Sequence, residues 1–253
     1  MTRRVVVVSR DPEQLATAVA ARLLTRISGA QGLRGDASLV LTGGGIGIAV
    51  LAALGTQPGS SVDWRSLDIW WGDERYLPAG DPDRNDQQAR EAMLSRLDLT
   101  PERIHPVGAP DGRDGNDAEA AASRYRDELA AAAGPDHLVP AFDVLLLGIG
   151  PEGHTASIFP DSPAAHDERT ALAVHGCPKP PPTRITMGFS AINAAREVWV
   201  IASGMAKASA VAMALSGAGR VQVPAAGVEG RQQTLWLLDE DAASLLPREL
   251  RRR

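Results

Sequence analysis

Short apolar runs alternate with longer amphipathic segments along most of this chain. A continuous run of β-branched residues or leucines is typical of a strand buried on both faces of a parallel sheet. Such runs predict strands at 5–8, 38–41, 67–71, 142–147, 171–175, 184–187, 197–202 and 234–238. A helix is predicted from the capping pair Asp11 and Pro12 to about Ile27. Further helices are predicted at 46–54, 85–97, 117–133 and 205–215.

This alternation of strands and helices predicts an α/β fold with a largely parallel sheet covered by helices on both faces. Loops are predicted at 29–35, 79–86, 108–117 and 178–182. None of these loops is long enough, or low enough in complexity, to separate two domains. Since no internal repeat is visible, residues 1–253 are predicted to form one domain.

Composition narrows the classes of partner. The formal net charge of −5 argues against a broad electrostatic contact with nucleic acid. A single cysteine excludes an internal disulfide and a cysteine-based zinc site. No apolar run reaches the length of about 18 residues that a membrane span needs, and the start of the chain is too short for a signal-peptide core. A cytoplasmic protein without a membrane partner is therefore expected.

Lysine is the scarce cation, because only Lys179 and Lys207 occur among the 26 lysines and arginines. Lys179 lies among prolines, and no function is expected for it. Lys207 lies in the first turns of a predicted helix, where a cation is disfavoured unless an anion is bound nearby. An ordinary surface lysine is the alternative. Arg184, after three prolines and before a strand, is a weaker anion-binding candidate of the same kind.

The predicted strand ends carry the remaining candidate chemistry, since ligands of parallel sheets bind beyond the carboxyl ends of the strands. Thr42, Gly43, Gly44 and Gly45 separate a strand from a helix. Glycines there let the backbone approach a ligand, and helix N–H groups face an anion. A tight turn without a ligand explains the glycines equally well. The absence of Gly-Lys-Ser/Thr from the chain excludes a Walker loop.

A second strand end, at 148–153, matches the dinucleotide pattern G-x-G-x-x-G. That pattern also requires a full helix and a second strand ending in an acid. Pro160 ends the helical stretch early and 161–170 is polar, so a dinucleotide cofactor is not expected. His154 follows this turn, two residues from Glu152. A neutral imidazole there can accept a proton from water, and a carboxylate can orient its ring.

The other four histidines lack such a setting, and no cluster of metal ligands is present, so no metal is predicted. At the third strand end, Asp73 and Arg75 flank Glu74. Arginine binds an oxyanion and a carboxylate orients a hydroxyl or water, although a solvated loop has the same pattern. No G-x-S-x-G segment occurs, so covalent serine catalysis has no support.

Together these segments resemble the 6-phosphogluconolactonase family over nearly the whole chain. The Gly-Asp-Glu-Arg and Gly-His-Thr-Ala-Ser pieces are the most specific parts of the resemblance. The first glycine loop departs from the family pattern, because Ile46 and Gly47 stand where a hydroxyl residue is common. The matching segments, in family order and spacing, are 41–45, 71–75, Asn85, 148–160, 184–186 and 234–239.

The resemblance implies a Rossmann-like sheet of the type shared with glucosamine-6-phosphate deaminases and ribose-5-phosphate isomerases. It also implies hydrolysis of 6-phospho-D-glucono-1,5-lactone in the oxidative pentose phosphate pathway, without a cofactor or an obligate protein partner. The expected partner is this small sugar-phosphate lactone. By the resemblance, His154 is the general base, with Asp73, Arg75 and Glu152 as further catalytic residues. The expected substrate and phosphate ligands are Thr42, Gly43, Gly44, Gly45, Arg184 and Lys207.

Two alternatives use the same scaffold. A sugar-phosphate deaminase or isomerase is the enzyme alternative, but the acidic residue that deaminases carry after the histidine is missing from 155–158. A non-catalytic sugar-phosphate sensor would keep the glycine loop and dispense with the base. The presence of His154 with Asp73 and Arg75 speaks against a sensor.

Overall fold

A seven-stranded parallel sheet forms the centre of the protein. The computed structural model describes residues 3–56 and 61–250. Every neighbouring pair of strands in this sheet is parallel, as the strand and helix alternation predicted. Across the sheet, the strands are β1 (Arg3–Ser9), β10 (Gln233–Asp239), β9 (Glu197–Ala202), β6 (Val144–Gly148), β2 (Ala37–Leu41), β3 (Leu67–Trp71) and β5 (Ile104–His105).

Helices flank the sheet and connect its strands. Within the described ranges, no helix combines the length and the apolar character that a membrane span requires. The helices are α1 (Pro12–Arg34), α2 (Gly45–Gly55), α3 (Asn85–Ala92), α4 (Ala118–Ala132), α5 (Phe189–Ile192) and α6 (Ala208–Leu215). The start of α1 follows the predicted signal, because the Asp11 side chain accepts a hydrogen bond from the amide of Gln14 and Pro12 stands at the first position.

Three strands form a second, antiparallel sheet that the sequence pattern did not separate from the first. They are β4 (Asp73–Arg75), β8 (Arg184–Met187) and β7 (Ala171–Val174). The charged triplet after β3 is therefore an ordered strand and not a solvated loop. Its register places Arg75 opposite Arg184 and Asp73 opposite Thr186. Two residues more than a hundred positions apart in sequence thus meet at one site.

Helix boundaries differ from the sequence prediction at three places. The first helix continues through Gly29 and Gly32, which were predicted as loop, because Leu23, Ile27 and Ala30 keep one face of α1 buried. The helix predicted at 85–97 ends at Ala92 and is followed by a 3₁₀ turn at Leu94–Arg96. The helix predicted at 205–215 begins as a 3₁₀ turn at Met205–Lys207.

The two glycines inside α1 allow a stability prediction. Both are exposed, and a Cβ added at either meets no atom within 4 Å. We expect Gly29→Ala and Gly32→Ala each to raise the free energy of unfolding by about 0.5–1 kcal/mol, because alanine loses less backbone entropy in a helix. Urea denaturation measures this. Gly35→Ala is the control and should destabilise, since Gly35 ends the helix at φ 87°. Destabilisation by Gly29→Ala would contradict the helical assignment.

Three strands in the middle of the parallel sheet position the site. Because β2, β6 and β9 run in the same direction, their carboxyl ends lie at the same edge of the sheet. The glycine loop 42–45 follows β2, the turn 148–154 follows β6, and the segment 203–207 follows β9. Candidate residues from distant parts of the sequence therefore meet at this edge.

Candidate active site

A cleft with two lobes opens at the carboxyl edge of the parallel sheet. Both lobes share Gly43, Gly44 and Lys207. The larger lobe, about 390 Å³, has mostly apolar walls that include Ile46 and Ile201. The smaller lobe has a volume of about 220 Å³ and is polar. Its side chains with polar or charged groups are Thr42, Asp73, Arg75, Asn85, His154, Arg184 and Lys207.

The structure brings the ten predicted site residues together. Nine of them line one lobe or both, and the tenth, Glu152, contacts the His154 ring. Three cations and one carboxylate line the smaller lobe, which makes it locally positive in a chain of net charge −5. This local charge favours an anionic ligand.

The glycine loop after β2 presents backbone donors to the cleft. Gly44 stands at the N-terminus of α2 with φ 81° and ψ 162°, a conformation that is essentially restricted to glycine. No side chain caps α2 there, so its first amides are left available for an anion. Gly43 has no room for a side chain, since a Cβ would overlap Oδ1 of Asn85.

Asp73 is held in place from two sides. Its carboxylate accepts a hydrogen bond from the hydroxyl of Ser157 (2.7 Å), and its carbonyl accepts one from the side-chain amide of Asn85 (2.8 Å). The remaining amide oxygen of Asn85 is buried and has no hydrogen-bond partner among the described residues. Asn85 and Ser157 lie in segments that match the family, and the sequence predicted no role for either residue. Their function as supports for Asp73 emerges only from the tertiary structure.

Arg75 lines the smaller lobe and is anchored there through its guanidinium group. Its Nη1 donates to the carbonyl of Asp83 (2.5 Å). Its Nε is buried and has no hydrogen-bond partner in the described part of the chain.

Glu74, between Asp73 and Arg75, is buried and joins β4 to the start of α3. Its carboxylate accepts hydrogen bonds from the amides of Arg75, Asn85 and Asp86 at the start of α3. Burial raises the pKa of Glu74 to about 7, although Arg84 and the three amides favour the charged form. The triplet thus alternates between the cleft and the interior, as a strand requires.

His154 is the best-placed base in the cleft. Its ring stacks on Phe159 with centroids 4.6 Å apart, and its side chain is 17% exposed. Burial lowers the pKa of His154, against the opposing effect of the Glu152 carboxylate. Nδ1 lies 3.0 Å from Oε1 of Glu152 without the alignment of a hydrogen bond. The ring is therefore mainly neutral at pH 7 and able to accept a proton.

Lys179, for which the sequence predicted no function, contacts the carboxylate of Glu152. Its ammonium lies 2.8 Å from Oε1 and 3.0 Å from Oε2 of Glu152. Burial alone would raise the pKa of Glu152, but the hydrogen bond from Lys179, a backbone hydrogen bond and the charges of His154 and Lys179 together lower it. The scarcity of lysine was the one signal that could have found this residue.

Lys207 lies at the junction of the two lobes. Burial, together with repulsion from Lys179, lowers the pKa of Lys207. The segment before it is fixed by Asp239, at the end of β10, which accepts hydrogen bonds from the Ser203 hydroxyl (2.8 Å) and the Gly204 amide (2.9 Å). Both lysines of the chain therefore lie near the same cleft.

Arg184 is buried, and part of its guanidinium group donates hydrogen bonds to the neighbouring loop. Nη2 donates to the carbonyls of Lys179 (3.2 Å) and Pro180 (3.1 Å), and Nε donates to Pro181 (3.3 Å). Its guanidinium carbon lies 5.8 Å from the centre of the Phe159 ring. Arg184 thus lines the cleft and also clamps the loop that carries Lys179.

Gly150 leaves the space that the His154 ring occupies. A Cβ at Gly150 would overlap Nδ1 of His154 and press on the carboxylate of Glu152. We expect Gly150→Ala to displace the ring and to lower turnover of the preferred substrate by at least about 10²-fold, because misplacing a reacting group by 1 Å has an effect of this size. Steady-state kinetics on a folded variant measures it. Gly29→Ala, on exposed α1, is the matched control. Full activity of Gly150→Ala would show that the ring position is not critical.

The chain resembles known proteins over most of its length. A family model described as glucosamine-6-phosphate isomerases/6-phosphogluconolactonase matches residues 10–236. The chain belongs to this family. A 6-phosphogluconolactonase of Streptomyces coelicolor is 57% identical over 96% of this chain and 95% of its own length. The expected enzyme class is confirmed by this relative.

Solved structures confirm the expected fold as well. The 6-phosphogluconolactonase of Trypanosoma brucei superimposes with a TM-score of 0.83 at 29% identity, covering 98% of this chain and 100% of that one. A monomeric glucosamine-6-phosphate deaminase superimposes with a TM-score of 0.78 at 21% identity, covering 96% and 100%. The deaminase supports the shared Rossmann-like architecture alone.

Two further features in the described part of the chain lie outside the cleft. His105 pairs with Glu128 (2.7 Å) and stacks on Trp70, at the edge strand β5. The turn after β6 leads into no helix over 149–162, which agrees with the rejection of a dinucleotide pattern. Within the described ranges, no group of three or more His, Cys, Asp and Glu side chains is arranged to hold a metal ion.

Proposed function

We propose that the chain hydrolyses 6-phospho-D-glucono-1,5-lactone to 6-phosphogluconate, with His154 as general base. The observation that carries this proposal is the position of His154: a largely buried, mainly neutral imidazole in a cleft lined by three cations. A neutral imidazole can activate water, and the cations suit a phosphorylated substrate. Relatives named 6-phosphogluconolactonase, matched over nearly the whole chain, support the substrate class.

The phosphate group binds at the junction of the two lobes. There the uncapped amides at the start of α2 and the ammonium of Lys207 face the same space. Amide donors at a helix N-terminus and a lysine ammonium are a common combination for phosphate. Thr42 lines the neighbouring wall, and Arg184 adds positive charge on the other side. The lactone ring then extends into the smaller lobe toward His154.

Hydrolysis proceeds by attack of water on the lactone carbonyl. His154 takes a proton from the water as its oxygen bonds to the carbonyl carbon, which leaves a tetrahedral oxyanion. The guanidinium of Arg75, which lines this lobe, stabilises the oxyanion, and Asp73 orients a sugar hydroxyl. Collapse of the intermediate breaks the bond to the ring oxygen, which takes the proton back from His154. The carboxylic acid product then ionises and releases one proton.

The segment after the histidine supports hydrolysis over amine release. Thr155 donates its hydroxyl to the carbonyl of Gly148 (3.0 Å), and Ser157 donates to Asp73 (2.7 Å). Both side chains fix the turn, and neither supplies an acid for a departing amine. Glu152 remains the carboxylate in contact with the His154 ring.

We place the reaction in the cytoplasm, with the free sugar-phosphate lactone as partner. A phosphorylated sugar carries charge that keeps it from crossing a bilayer, so an enzyme that consumes it works where it is made.

A stopped-flow assay tests the proposed function. The lactone is generated enzymatically just before mixing, proton release is followed with an indicator dye, and the uncatalysed rate is subtracted. Ammonia release from glucosamine 6-phosphate is measured in parallel. We expect catalysed proton release and no ammonia. Ammonia release would indicate a deaminase. Binding of 6-phosphogluconate without any turnover would indicate a sensor.

A further inference from the structure

We infer that Lys179 is a positioning residue that holds the Glu152 carboxylate beside His154 and keeps the imidazole neutral. The inference rests on the proposed role of His154 as base. Lys179 is not among the residues that line the two lobes. It contacts both carboxylate oxygens of Glu152, at 2.8 and 3.0 Å. Glu152 in turn lies 3.0 Å from Nδ1 of His154. The three side chains form one row of contacts that ends at the base.

The row solves a conflict between orientation and basicity. A carboxylate next to an imidazole fixes the ring, but it also stabilises the protonated form and raises the pKa of the ring. A base that is already protonated cannot accept a proton from water. An ammonium on the far side of the carboxylate offsets much of this effect, because its charge opposes protonation of the ring. Glu152 can then orient His154 while the ring stays mainly neutral.

The loop that carries Lys179 is itself anchored to the cleft. Arg184 donates hydrogen bonds to the carbonyls of Lys179, Pro180 and Pro181. Arg184 belongs to β8, which pairs with β4 and so with Asp73 and Arg75. The backbone of Lys179 is therefore held at a fixed position relative to His154, although the Lys179 side chain is 41% exposed.

Several other charged groups face the His154 ring. Asp73 favours its protonation, as Glu152 does, whereas Lys179 opposes it. Arg75, Arg184 and Lys207 line the same lobe and add positive charge. Lys179 differs from these three cations in one respect, which is its direct contact with the carboxylate that touches the ring. Removing it takes away a repulsion and also frees Glu152 to align with Nδ1. Both changes raise the pKa of His154.

The test measures the titration of His154 directly and through activity. Imidazole ¹³C–¹H NMR over pH 4–9 gives the midpoint, and His154→Gln identifies the signal among five histidines. We expect Lys179→Met to move the midpoint upward by about 0.5–1 pH unit. The acid limb of kcat/KM should move by the same amount. Glu152→Gln should move both in the opposite direction.

Two variants control for charge and structure. Lys179→Arg keeps the positive charge and should keep the wild-type midpoint. Arg65→Met removes one positive charge from an exposed pair with Asp98 (2.8 Å), before β3 and at the opposite edge of the sheet, and should leave both midpoint and activity unchanged. An unchanged midpoint in Lys179→Met would overturn the inference, even with lower activity or stability, since those losses alone indicate a structural role.

The NMR readout separates this inference from the proposed function. A shifted His154 midpoint in a protein without lactone hydrolysis would support the Lys179 row and refute the lactonase proposal. Lactone hydrolysis with an unshifted His154 midpoint would support the lactonase proposal and refute the role of Lys179. Each measurement therefore decides one of the two claims.

Discussion

Replacing His154 with glutamine should lower kcat for the phosphorylated lactone by about 10²–10⁴-fold and change KM by less than about threefold. General base catalysis contributes an acceleration of this size, and a base that acts on water contributes little to binding of the ground state. The ring is largely buried against Phe159, so glutamine preserves much of the volume while removing the basic nitrogen. Stopped-flow kinetics with subtraction of spontaneous hydrolysis measures the change.

The matched control is His166→Gln, at an exposed histidine outside the cleft, which should retain full activity. The pH profile supplies a second check. Burial lowers the pKa of His154 below 6.5, the ordinary value for histidine. The neutral form of the ring therefore prevails at pH 6.5 and above. kcat/KM of the wild-type protein should therefore rise along an acid limb below pH 6.5 and level off near neutrality. Unchanged turnover in His154→Gln would remove this residue from the mechanism.

Replacing Lys207 with methionine should weaken binding of phosphorylated ligands selectively. We expect KM for the phosphorylated lactone to rise by about 10–100-fold, because a hydrogen bond to a charged group contributes about 1.5–3 kcal/mol. Activity on unphosphorylated glucono-1,5-lactone should change by less than about threefold. The position supports this selectivity, since Lys207 lies at the junction of the lobes beside the glycine loop, whereas His154 lines the smaller lobe alone.

Lys207→Arg is the control, because it keeps the charge and should retain most of the affinity. The comparison of the two substrates is decisive. An equal loss on phosphorylated and unphosphorylated lactone would show that Lys207 supports the fold of the cleft and does not bind phosphate. Competition by inorganic phosphate gives an independent measurement, since it should weaken in Lys207→Met and persist in Lys207→Arg.

The cleft explains how an acidic protein can bind an anion. The chain has a net charge of −5, yet the smaller lobe carries Arg75, Arg184 and Lys207 against Asp73. Binding of a sugar phosphate depends on charge within a few ångströms of the ligand, because distant charges are screened by solvent and salt. The net charge argued against a broad surface that binds polyanions such as nucleic acid, but it does not determine the local charge of a single small site.

Much of the fold was accessible from local patterns. Buried parallel strands have continuous apolar runs, so β3 and β9 were predicted with their observed limits, and the parallel sheet followed from the alternation with helices. The limits of β8, in the antiparallel sheet, were also predicted correctly. The errors have physical causes. Glycines suggested a loop where tertiary burial of one face keeps α1 helical to Arg34. The second, antiparallel sheet was missed because one of its strands, β4, has three charged residues and no apolar pattern of its own.

The amino-acid sequence by itself was enough to predict the candidate site residues. The glycine loop, Asp73, Arg75, His154 and Lys207 stand at strand ends, and parallel strands bring such ends to one edge. Only the tertiary structure decided what surrounds them. Pairing of Lys179 with Glu152, and of Ser157 with Asp73, joins residues 27 and 84 positions apart. Local sequence cannot encode such contacts, because they depend on how a second sheet packs beside the first. The same packing buries His154 and so sets its basicity.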